Sequence, residues 1–497
     1  MADVSIIGSG FSGLAAACYA ARDGLSVSVF EKNSTVGGRA RQFSEGGFIF
    51  DMGPSWYWMP DVFERFFNDF GKSTSDYYDL VQLDPGFKVF YKDAESLAIP
   101  SSIDELYASF ETIEKGSSEQ LKRFLKDASY KYDVGMKNLV YKPGLSLTEY
   151  MNYDVLKGVL KTHLFKSVKS HVGQYFKEEK IRQLMEFPVL FLGAMANDIP
   201  ALYTLMNYAA LSLGTWYPMG GMYKIVEAMS TLAEELGVNI YTNAPVQHIS
   251  VKKNYVQGII VNNELVNTSS VISSGDYHYT EQHLLDASYR NYNEEYWNKK
   301  TFAPSCLLYY VGVNKRVKGL DHHNLFFDAD FDKHADEIYK VKEWPTDPLF
   351  YVCSPSKTDD SVAPNGCENL FILIPIAPGI EDNEEIRERY FPQVISRIEK
   401  HTGDSISDNI VYKKSYCIKD FVNDYHAYKG NAYGLANTLM QTAFLKPSLK
   451  NKKVKNLVYT GQLTVPGPGV PPSLISGRLA AEQAVKSIKK SVYETVV

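Results

Sequence analysis

The decisive stretch of this chain reads Asp3-Val4-Ser5-Ile6-Ile7-Gly8-Ser9-Gly10-Phe11-Ser12-Gly13-Leu14. The apolar run Val4–Ile7 ends in glycine and predicts a buried parallel strand. The alanine-rich segment from Leu14 to Ala21 predicts a helix, and Val27–Phe30 predicts a second strand. Together these segments predict a βαβ unit whose strand-to-helix turn contains three glycines.

The three glycines have the spacing of a dinucleotide-binding turn. Gly8 allows the tight turn, Gly10 lets the backbone approach a pyrophosphate, and Gly13 lets helix and strand pack closely. The N–H groups at the start of the helix would face the phosphates. Glu31 lies 21 residues after Gly10, where its carboxylate can accept hydrogen bonds from an adenosine ribose, which argues against NADP. The pattern leaves NAD and FAD open, and the alternative is a glycine turn with a structural role.

Two segments that follow Glu31 extend the candidate site. Val36-Gly37-Gly38-Arg39 brings a flexible backbone and a permanent cation towards the phosphates, with an ordinary turn and a surface arginine as the alternative. Phe48–Ser55 predicts a short strand and a glycine-proline turn, in which Asp51 fits turn capping better than catalysis. The candidate cofactor contacts of this part are Gly8, Gly10, Phe11, Ser12, Gly13, Glu31, Lys32, Gly38, Arg39, Gly53, Pro54 and Ser55.

A proline-rich loop near residue 470 provides the other half of the candidate site. Asn456–Gln462 predicts a strand that ends in glycine, and Leu463–Ser473 carries four prolines before a helix over about 474–488. A rigid backbone that leads into a helix amino terminus suits a group that becomes negatively charged. The candidate contacts here are Gly461, Gly469, Val470 and Pro471, and Val470 is expected to be extended because a proline follows it.

Composition limits the classes of function. The 497 residues suffice for two or more domains, and 45% hydrophobic and 22% charged residues are typical of a soluble globular protein. The net charge of −6 argues against nucleic acid as a partner. Because a strand is predicted from residue 3, we expect no signal peptide, a cytoplasmic location and reduced thiols. No apolar run is long enough to predict a membrane span.

With these segments in place, the sequence resembles the carotenoid desaturase family, the phytoene-desaturase-like branch of the FAD-dependent amine oxidase superfamily. The resemblance rests on the turn at Gly8–Gly13, Glu31-Lys32-Asn33, Val36–Arg39, Phe50–Ser55 and the proline-glycine loop, so it covers the whole chain. It implies a non-covalently bound FAD and a carotenoid substrate.

The resemblance also implies where the flavin lies. The backbone of Val246 would meet the adenine end of FAD, and the loop at Gly469–Pro471 would meet the pyrimidine end. The N–H groups of that loop would favour the reduced flavin anion.

The implied architecture is an α/β fold with two interleaved domains. A Rossmann-like FAD-binding domain, built on a doubly wound parallel sheet, would comprise residues 1–84, 215–274 and 446–497. An α+β substrate-binding domain would comprise residues 85–214 and 275–445. In the latter, Ser305–Val313 and Asn369–Ile376 read as buried strands that would floor the substrate cavity.

Residues 156–176 combine apolar residues at helical spacing with intervening lysines at positions 157, 161, 166 and 169, which predicts an amphipathic helix. Its apolar face could pack on the core, or the helix could lie on an anionic membrane surface. The resemblance favours helices near 155–177 that contact the membrane, because carotenoids dissolve in bilayers. We therefore expect peripheral association with a lipid bilayer surface, whereas the oligomeric state stays open.

No metal site is expected. His322-His323 stands beside Asp321 in a polar stretch, and without a third ligand at metal spacing we interpret it as a solvated pair.

The expected activity is desaturation of an acyclic or hydroxylated C40 carotenoid by hydride transfer to FAD. A conjugated polyene stabilises the cation that hydride loss creates, so the protein must supply mainly an apolar tunnel and a placed flavin. No catalytic residue is assigned. Phytoene and the 3,4 bond of a 1′-hydroxycarotenoid both fit as substrates, and the final electron acceptor stays open. The alternatives are an amine oxidase, a carotenoid isomerase or oxidase, and a flavin carrier without turnover.

Overall fold

The computed structural model describes residues 2–150 and 162–496. Numbered in chain order, its strands are β1 (Ala2–Ile7), β2 (Val27–Phe30), β3 (Gln42–Glu45), β4 (Phe48–Asp51), β5 (Leu80–Gln82), β6 (Phe87–Tyr91), β7 (Ser96–Ile99), β8 (Trp216–Pro218), β9 (Asn239–Tyr241), β10 (Val246–Lys252), β11 (Tyr255–Val261), β12 (Glu264–Ser273), β13 (Ser305–Val313), β14 (His323–Phe327), β15 (Phe350–Cys353), β16 (Glu368–Ile376), β17 (Ile410–Tyr416) and β18 (Leu457–Tyr459).

The α-helices of the described residues are α1 (Phe11–Arg22), α2 (Pro60–Asn68), α3 (Ile103–Ile113), α4 (Ser117–Val134), α5 (Val168–Val172), α6 (Glu179–Glu186), α7 (Leu205–Leu211), α8 (Tyr223–Glu235), α9 (Tyr277–His283), α10 (Glu294–Asn298), α11 (Phe331–Asp336), α12 (Glu384–Thr402), α13 (Ile418–Tyr425) and α14 (Val470–Val496). Short 3-10 turns connect several of them.

A parallel sheet in the order β18–β12–β1–β2–β9 carries the glycine turn. The first half of β12 also pairs with β11, and β11 with β10, so that an antiparallel ribbon extends from the sheet. The turn between β11 and β12 is formed by Asn262 and Asn263, both at positive φ, as a tight hairpin requires. These strands and helices confirm the predicted Rossmann-like α/β fold.

Helix α1 is the buried centre of this layer. Its residues Phe11–Ala20 are all buried, and α14 packs directly against it. The two helices approach so closely at Gly477 that a Cβ there would lie only 2.4 Å from the carbonyl oxygen of Ser12. Residues close to the two ends of the sequence therefore build one layer around β1.

A second, mixed sheet has the order β17–β13–β16–β15–β14–β6–β7. The predicted strands at 305–313 and 369–376 are confirmed as β13 and β16, which pair antiparallel from Ser305↔Ile376 to Val313↔Glu368. Both strands are buried along almost their whole length, which explains their unbroken apolar sequences. The interleaved domain boundaries remain a prediction.

The predicted amphipathic helix over 156–176 is wrong in the part of it that the structure describes. Residues 162–166 form turns, and helix α5 covers only Val168–Val172. Val168, Val172 and Phe176 are buried, as the apolar spacing suggested, whereas Lys169 pairs with Asp332 at 2.9 Å. The leucines and lysines at 156–161 lie outside the described residues.

Among the helices of residues 2–150 and 162–496, none combines the length and the apolar composition needed to cross a membrane.

Candidate functional site

The turn between β1 and α1 has the geometry that the glycine spacing predicts. Gly8 lies in the left-handed region at φ +90°, and its N–H donates to the carbonyl oxygen of Phe30 at 2.8 Å. A Cβ on Gly13 would lie 2.1 Å from the carbonyl oxygen of Gly8, so only glycine fits there. Gly10 has an ordinary φ of −69°, and its Cβ would meet no atom within 4 Å. The backbone is therefore open at Gly10, where a bound group could approach closely.

Glu31 ties this turn to the end of β2. The residue is 4% exposed, and its Oε2 accepts hydrogen bonds from the Ser9 N–H at 3.0 Å and the Ser9 hydroxyl at 2.8 Å. Its Oε1 accepts from the Asn33 N–H at 2.9 Å. A carboxylate has about four lone-pair sites, so one remains for a ligand hydroxyl. The Lys32 ammonium donates to the carbonyl oxygen of Asn423 at 2.7 Å.

The second glycine pair lies against the first turn. A Cβ on Gly38 would come within 3.3 Å of the Gly10 Cα, and Gly38 has a positive φ of 56°. Arg39 is half-buried overall; its Nη2 donates to the carbonyl oxygen of Asn431 at 3.1 Å, and its guanidinium covers the ring of Tyr425. Its Nε–H is buried without a hydrogen-bond partner in the described structure. An anion would satisfy this donor.

The Phe48–Ser55 segment joins the two glycine segments to the second sheet. A Cβ on Gly53 would lie 2.2 Å from the Arg39 carbonyl oxygen, so the two backbones touch. After Pro54, the Ser55 hydroxyl accepts a hydrogen bond from the Tyr351 hydroxyl at 2.9 Å. The segment thus holds β15 against the site.

Asp51 has a capping role, as expected. It caps helix α8, which is far away in the sequence, rather than its own turn. Its Oδ2 accepts from the Met222 N–H at 2.7 Å and its Oδ1 from the Tyr223 N–H at 3.2 Å, at the start of α8. Burial raises the pKa of Asp51 to about 6, although these hydrogen bonds lower it.

The proline-rich loop reaches the same place from the other end of the sequence. A Cβ on Gly461 would lie 3.2 Å from the Ser12 hydroxyl oxygen, so the end of β18 lies beside the start of α1. Ser12 also hydrogen-bonds the hydroxyl of Ser274 at 2.8 Å. The four glycine-containing segments therefore converge at the carboxyl ends of the parallel strands, where α/β proteins bind ligands.

Two expectations for this loop are wrong. Helix α14 begins at Val470 rather than near residue 474, and Val470 is helical rather than extended. The cause is that Pro471 and Pro472 fall in the first helical turn, where a missing N–H costs nothing. The Ser473 N–H already donates to the carbonyl oxygen of Gly469 at 3.0 Å. The first turn therefore offers one N–H, that of Val470, to a ligand.

Val246 begins β10 on the Glu31 side of the site. Two residues before it, the Ala244 N–H donates to the carbonyl oxygen of Glu31 at 2.8 Å. This bond places the Val246 backbone beyond the end of β2, and the contact of Val246 with an adenine stays a prediction.

Two buried polar side chains beneath the proline-rich loop were not predicted from the sequence. The Lys446 Nζ and the Asn437 Oδ1 are buried without partners in the described structure, and a Cβ on Gly467 would lie within 3.2 Å and 3.0 Å of them, respectively. Burial lowers the pKa of Lys446 to about 7. The loop therefore rests on a donor and an acceptor that are free to bind.

The interpretation of His322-His323 as a solvated pair is wrong. The two residues are 4% and 0% exposed, because His323 opens the buried strand β14 and His322 packs on Tyr217. They lie behind a small cavity lined by Phe50, Asp51, Ser55, Tyr217, Met222, Cys353, Pro355, Asn369 and Phe371.

These observations fit a flavin dinucleotide. The open backbone at Gly10 and the unpaired Arg39 Nε–H suit a pyrophosphate, and the single N–H of Val470 suits an electron-accepting ring. The residues present thus offer groups complementary to a pyrophosphate and to an electron-accepting ring.

Solved structures share the fold. A putrescine oxidase bound to putrescine matches with a TM-score of 0.64 and 14% identity over 98% of this chain and 99% of that chain. The cyclohexylamine oxidase of Brevibacterium oxydans matches with a TM-score of 0.60 and 15% identity over 98% and 99% of the two chains.

Sequence relatives are closer. A carotenoid 3,4-desaturase of Haloarcula japonica is 43% identical over 98% of both chains. A zeta-carotene-forming phytoene desaturase of Myxococcus xanthus is 30% identical over 97% of this chain and 93% of its own. The family model described as flavin containing amine oxidoreductase matches residues 11–485. The chain therefore belongs to the flavin-containing amine oxidoreductases and, within them, to the carotenoid desaturase family.

Proposed function

We propose that this protein desaturates the 3,4 bond of a hydroxylated C40 carotenoid, using non-covalently bound FAD as the hydride acceptor. The observation that carries the proposal is the 43% identity with a carotenoid 3,4-desaturase over 98% of both chains. The converging glycine segments support it, because the open backbone at Gly10 suits a bound dinucleotide. Phytoene-type desaturation is the second possibility, since the relative at 30% identity is a phytoene desaturase.

We assign the contacts with FAD to four segments of the chain. The turn at Gly8–Gly13 and Arg39 would bind the pyrophosphate, and Glu31 would accept a hydrogen bond from the ribose. The backbone of Val246 would contact the adenine. The Val470 N–H would face the pyrimidine ring at the amino terminus of α14.

When bound, FAD supplies the hydride acceptor. The chain's own part is to orient the polyene, exclude water and stabilise charge that develops near Val470. One preorganised N–H donor of this kind contributes about 10²-fold to a rate. The proline-fixed backbone at 471–472 keeps that donor in place without rearrangement.

Non-covalent attachment is supported by the positions of the cysteines. Residues 461–473, which would contact the isoalloxazine, contain no cysteine. Cys18, Cys306, Cys353 and Cys417 are buried. Acid precipitation of the purified protein should therefore release the yellow flavin into the supernatant, and colour that stays in the pellet would contradict this part of the proposal.

We also propose peripheral attachment to the cytoplasmic face of a bilayer. Large apolar side chains are exposed at Leu145, Phe165, Met440 and Phe444, and residues 144 and 443 lie together, since a Cβ on Gly144 would be 3.5 Å from the Ala443 carbonyl oxygen. Exposed large apolar side chains on neighbouring segments are typical of a membrane contact. It offers a substrate that dissolves in lipid a short path to the protein.

The experiment that tests the function is anaerobic reduction of the bound flavin. The protein is mixed with liposomes that contain a 1′-hydroxycarotenoid, phytoene or no carotenoid, and flavin absorbance is followed. We expect bleaching by the hydroxycarotenoid and a product with one more conjugated double bond. Bleaching by phytoene alone would move the assignment to phytoene desaturation. Rapid bleaching by simple amines, with none by any carotenoid, would overturn it.

A further inference from the structure

A cluster of three metal-binding side chains lies behind the candidate site. One ring nitrogen each of His322 and His323 and the Cys353 Sγ lie within 4.8 Å of one another. His323 in β14 stands directly opposite Cys353 in β15 in the antiparallel register. Cys353 is 2% exposed, so all three groups are shielded from water. The strand pairing thus brings together two imidazoles and a thiol that are 30 residues apart in the chain (353 − 323).

The second nitrogen of each imidazole is already held. The His322 Nδ1 is 2.7 Å from the Thr358 hydroxyl, and the His323 Nδ1 is 2.7 Å from the Tyr351 hydroxyl. Histidines that bind metals usually donate this second N–H to an oxygen, which fixes the ring and the tautomer. Both Nε2 atoms are buried and have no hydrogen-bond partner in the described part of the chain.

The hydroxyl of Tyr351 indicates which tautomer His323 has. It donates its one hydrogen to Ser55 at 2.9 Å, so it meets His323 as an acceptor. The His323 Nδ1 therefore carries the hydrogen, and its Nε2 presents a lone pair. A buried lone pair without a donor is what a metal ligand offers in the absence of its metal.

We propose that His322, His323 and Cys353 bind one Zn²⁺ ion through the two Nε2 atoms and the cysteine sulfur. Two imidazoles and one thiolate suit this borderline-soft ion, and three protein ligands leave a fourth position. That position would face the cavity that Cys353 shares with Asp51 and Ser55. Binding replaces the thiol hydrogen by the metal and releases it as a proton.

The ion would tie the two halves of the site together. Its ligands lie at the start of β14 and at the end of β15. Tyr351 on β15 donates to Ser55, in the segment whose Gly53 touches the backbone of Arg39. The ring of Trp56 stacks on His323 at 4.1 Å, which adds a rigid contact to the same segment. The proposed role is therefore to fix the second sheet against the flavin site.

The other histidine cluster of the described chain provides an internal contrast. Asp127, His163 and His171 also lie within metal-binding distance of one another. However, the Lys131 ammonium is 2.6 Å from the Asp127 carboxylate and 3.0 Å from the His171 Nε2. A cation already occupies that cluster, so we expect no metal there.

The test uses the full-length protein with its flavin. The protein is treated with a chelator, dialysed against micromolar Zn²⁺ or Co²⁺ and freed of excess metal, and the metal content per chain is measured. We expect about one ion per chain. Co²⁺ should produce the near-ultraviolet charge-transfer band of a cobalt–thiolate bond. Less than about one-tenth of an ion per chain, or bound Co²⁺ without that band, would overturn the proposal.

Variants locate the ion. Cys353→Ser and His323→Ala should weaken binding at least about tenfold, and Thr358→Val about 10–100-fold, since it removes a partner of a ligand. Cys18→Ser, at another buried cysteine, should bind as the wild type does. Unchanged affinity in Cys353→Ser would overturn the proposal. Circular dichroism and flavin content confirm folding, and if Cys353→Ser fails to fold, the cobalt band of the wild type decides.

Discussion

Replacing glycine by alanine at position 10 or at position 13 separates the binding of the cofactor from the stability of the fold. Gly10→Ala adds a methyl group where no atom lies within 4 Å and where φ is −69°. The apoprotein should therefore keep its stability to within about 1 kcal/mol, since a small entropic gain opposes the poorer helix cap. Gly13→Ala adds the same group 2.1 Å from the Gly8 carbonyl oxygen. It should cost about 3 kcal/mol or more, because a backbone oxygen must move in a close-packed turn.

Flavin affinity should fall in Gly10→Ala, although the stability of its apoprotein is kept. Because the pyrophosphate would occupy the open space at Gly10, the methyl group of Gly10→Ala should displace it by about 1 Å and lower flavin affinity at least ~10-fold, or ~1.4 kcal/mol. The assay combines urea unfolding of the flavin-free proteins with flavin titration by fluorescence quenching. Wild-type flavin affinity in Gly10→Ala would refute the assignment of the turn. Equal apoprotein stability of the two variants would refute the steric argument.

Three further predictions follow from the site, the surface and the core. Val470→Pro places a residue that is common at the first helical position and should remove the N–H that the first turn of α14 offers. It should slow anaerobic flavin reduction about 10²-fold and lower the flavin reduction potential, and an unchanged potential would show that this N–H does not face the flavin. Met440→Asp should lower partitioning of the protein into anionic liposomes about tenfold, because Met440 is 70% exposed on the proposed membrane surface. Leu265→Asp is the control: Leu265 is 53% exposed but lies on the β11–β12 ribbon, so this change should leave partitioning unaltered. Asp127→Asn should destabilise the protein by about 2 kcal/mol at pH 7, since it strands the buried Lys131 ammonium, while Asp133→Asn on the exposed face of α4 should have little effect.

The Asp127 variant also makes a prediction about pH. Burial opposes ionisation of Asp127, but the hydrogen bonds from His171 and Lys131 outweigh it and lower its pKa to about 2. A carboxyl with a depressed pKa stabilises the fold above its ordinary pKa and loses that contribution as the pH falls. The difference in unfolding free energy between wild type and variant should therefore shrink as the pH falls from about 5 towards 2, and a constant difference would contradict the ion pair.

The sequence predicted those parts of the molecule that depend on local pattern. The unit β1–α1–β2 and the strands at 305–313 and 369–376 follow from glycine spacing and unbroken apolar runs. Glycine spacing also indicated close packing of helix and strand at Gly13, which the approach to the Gly8 carbonyl oxygen shows.

What the sequence did not predict depends on contacts between distant residues. Asp51 caps helix α8 through the Met222 N–H, which lies 171 residues away, and no turn rule could identify that partner. The burial of His322 and His323 follows from the pairing of β14 between β6 and β15, whereas their sequence neighbours suggested a polar loop. Helix α14 begins four residues before the predicted start, because Val470 is helical despite the following proline and both prolines fit the first helical turn.

The packing of α14 on α1 has a consequence for the order of events in synthesis. The first βαβ unit leaves the ribosome early, but the helix that covers α1 emerges only after nearly all other segments. Until then, the surface around Ser12 that Gly477 will contact stays uncovered, and the loop before Val470 is absent. Nascent chains should therefore take up flavin only after translation of residues 457–496 is complete, and during elongation the exposed face of α1 depends on chaperones to avoid aggregation.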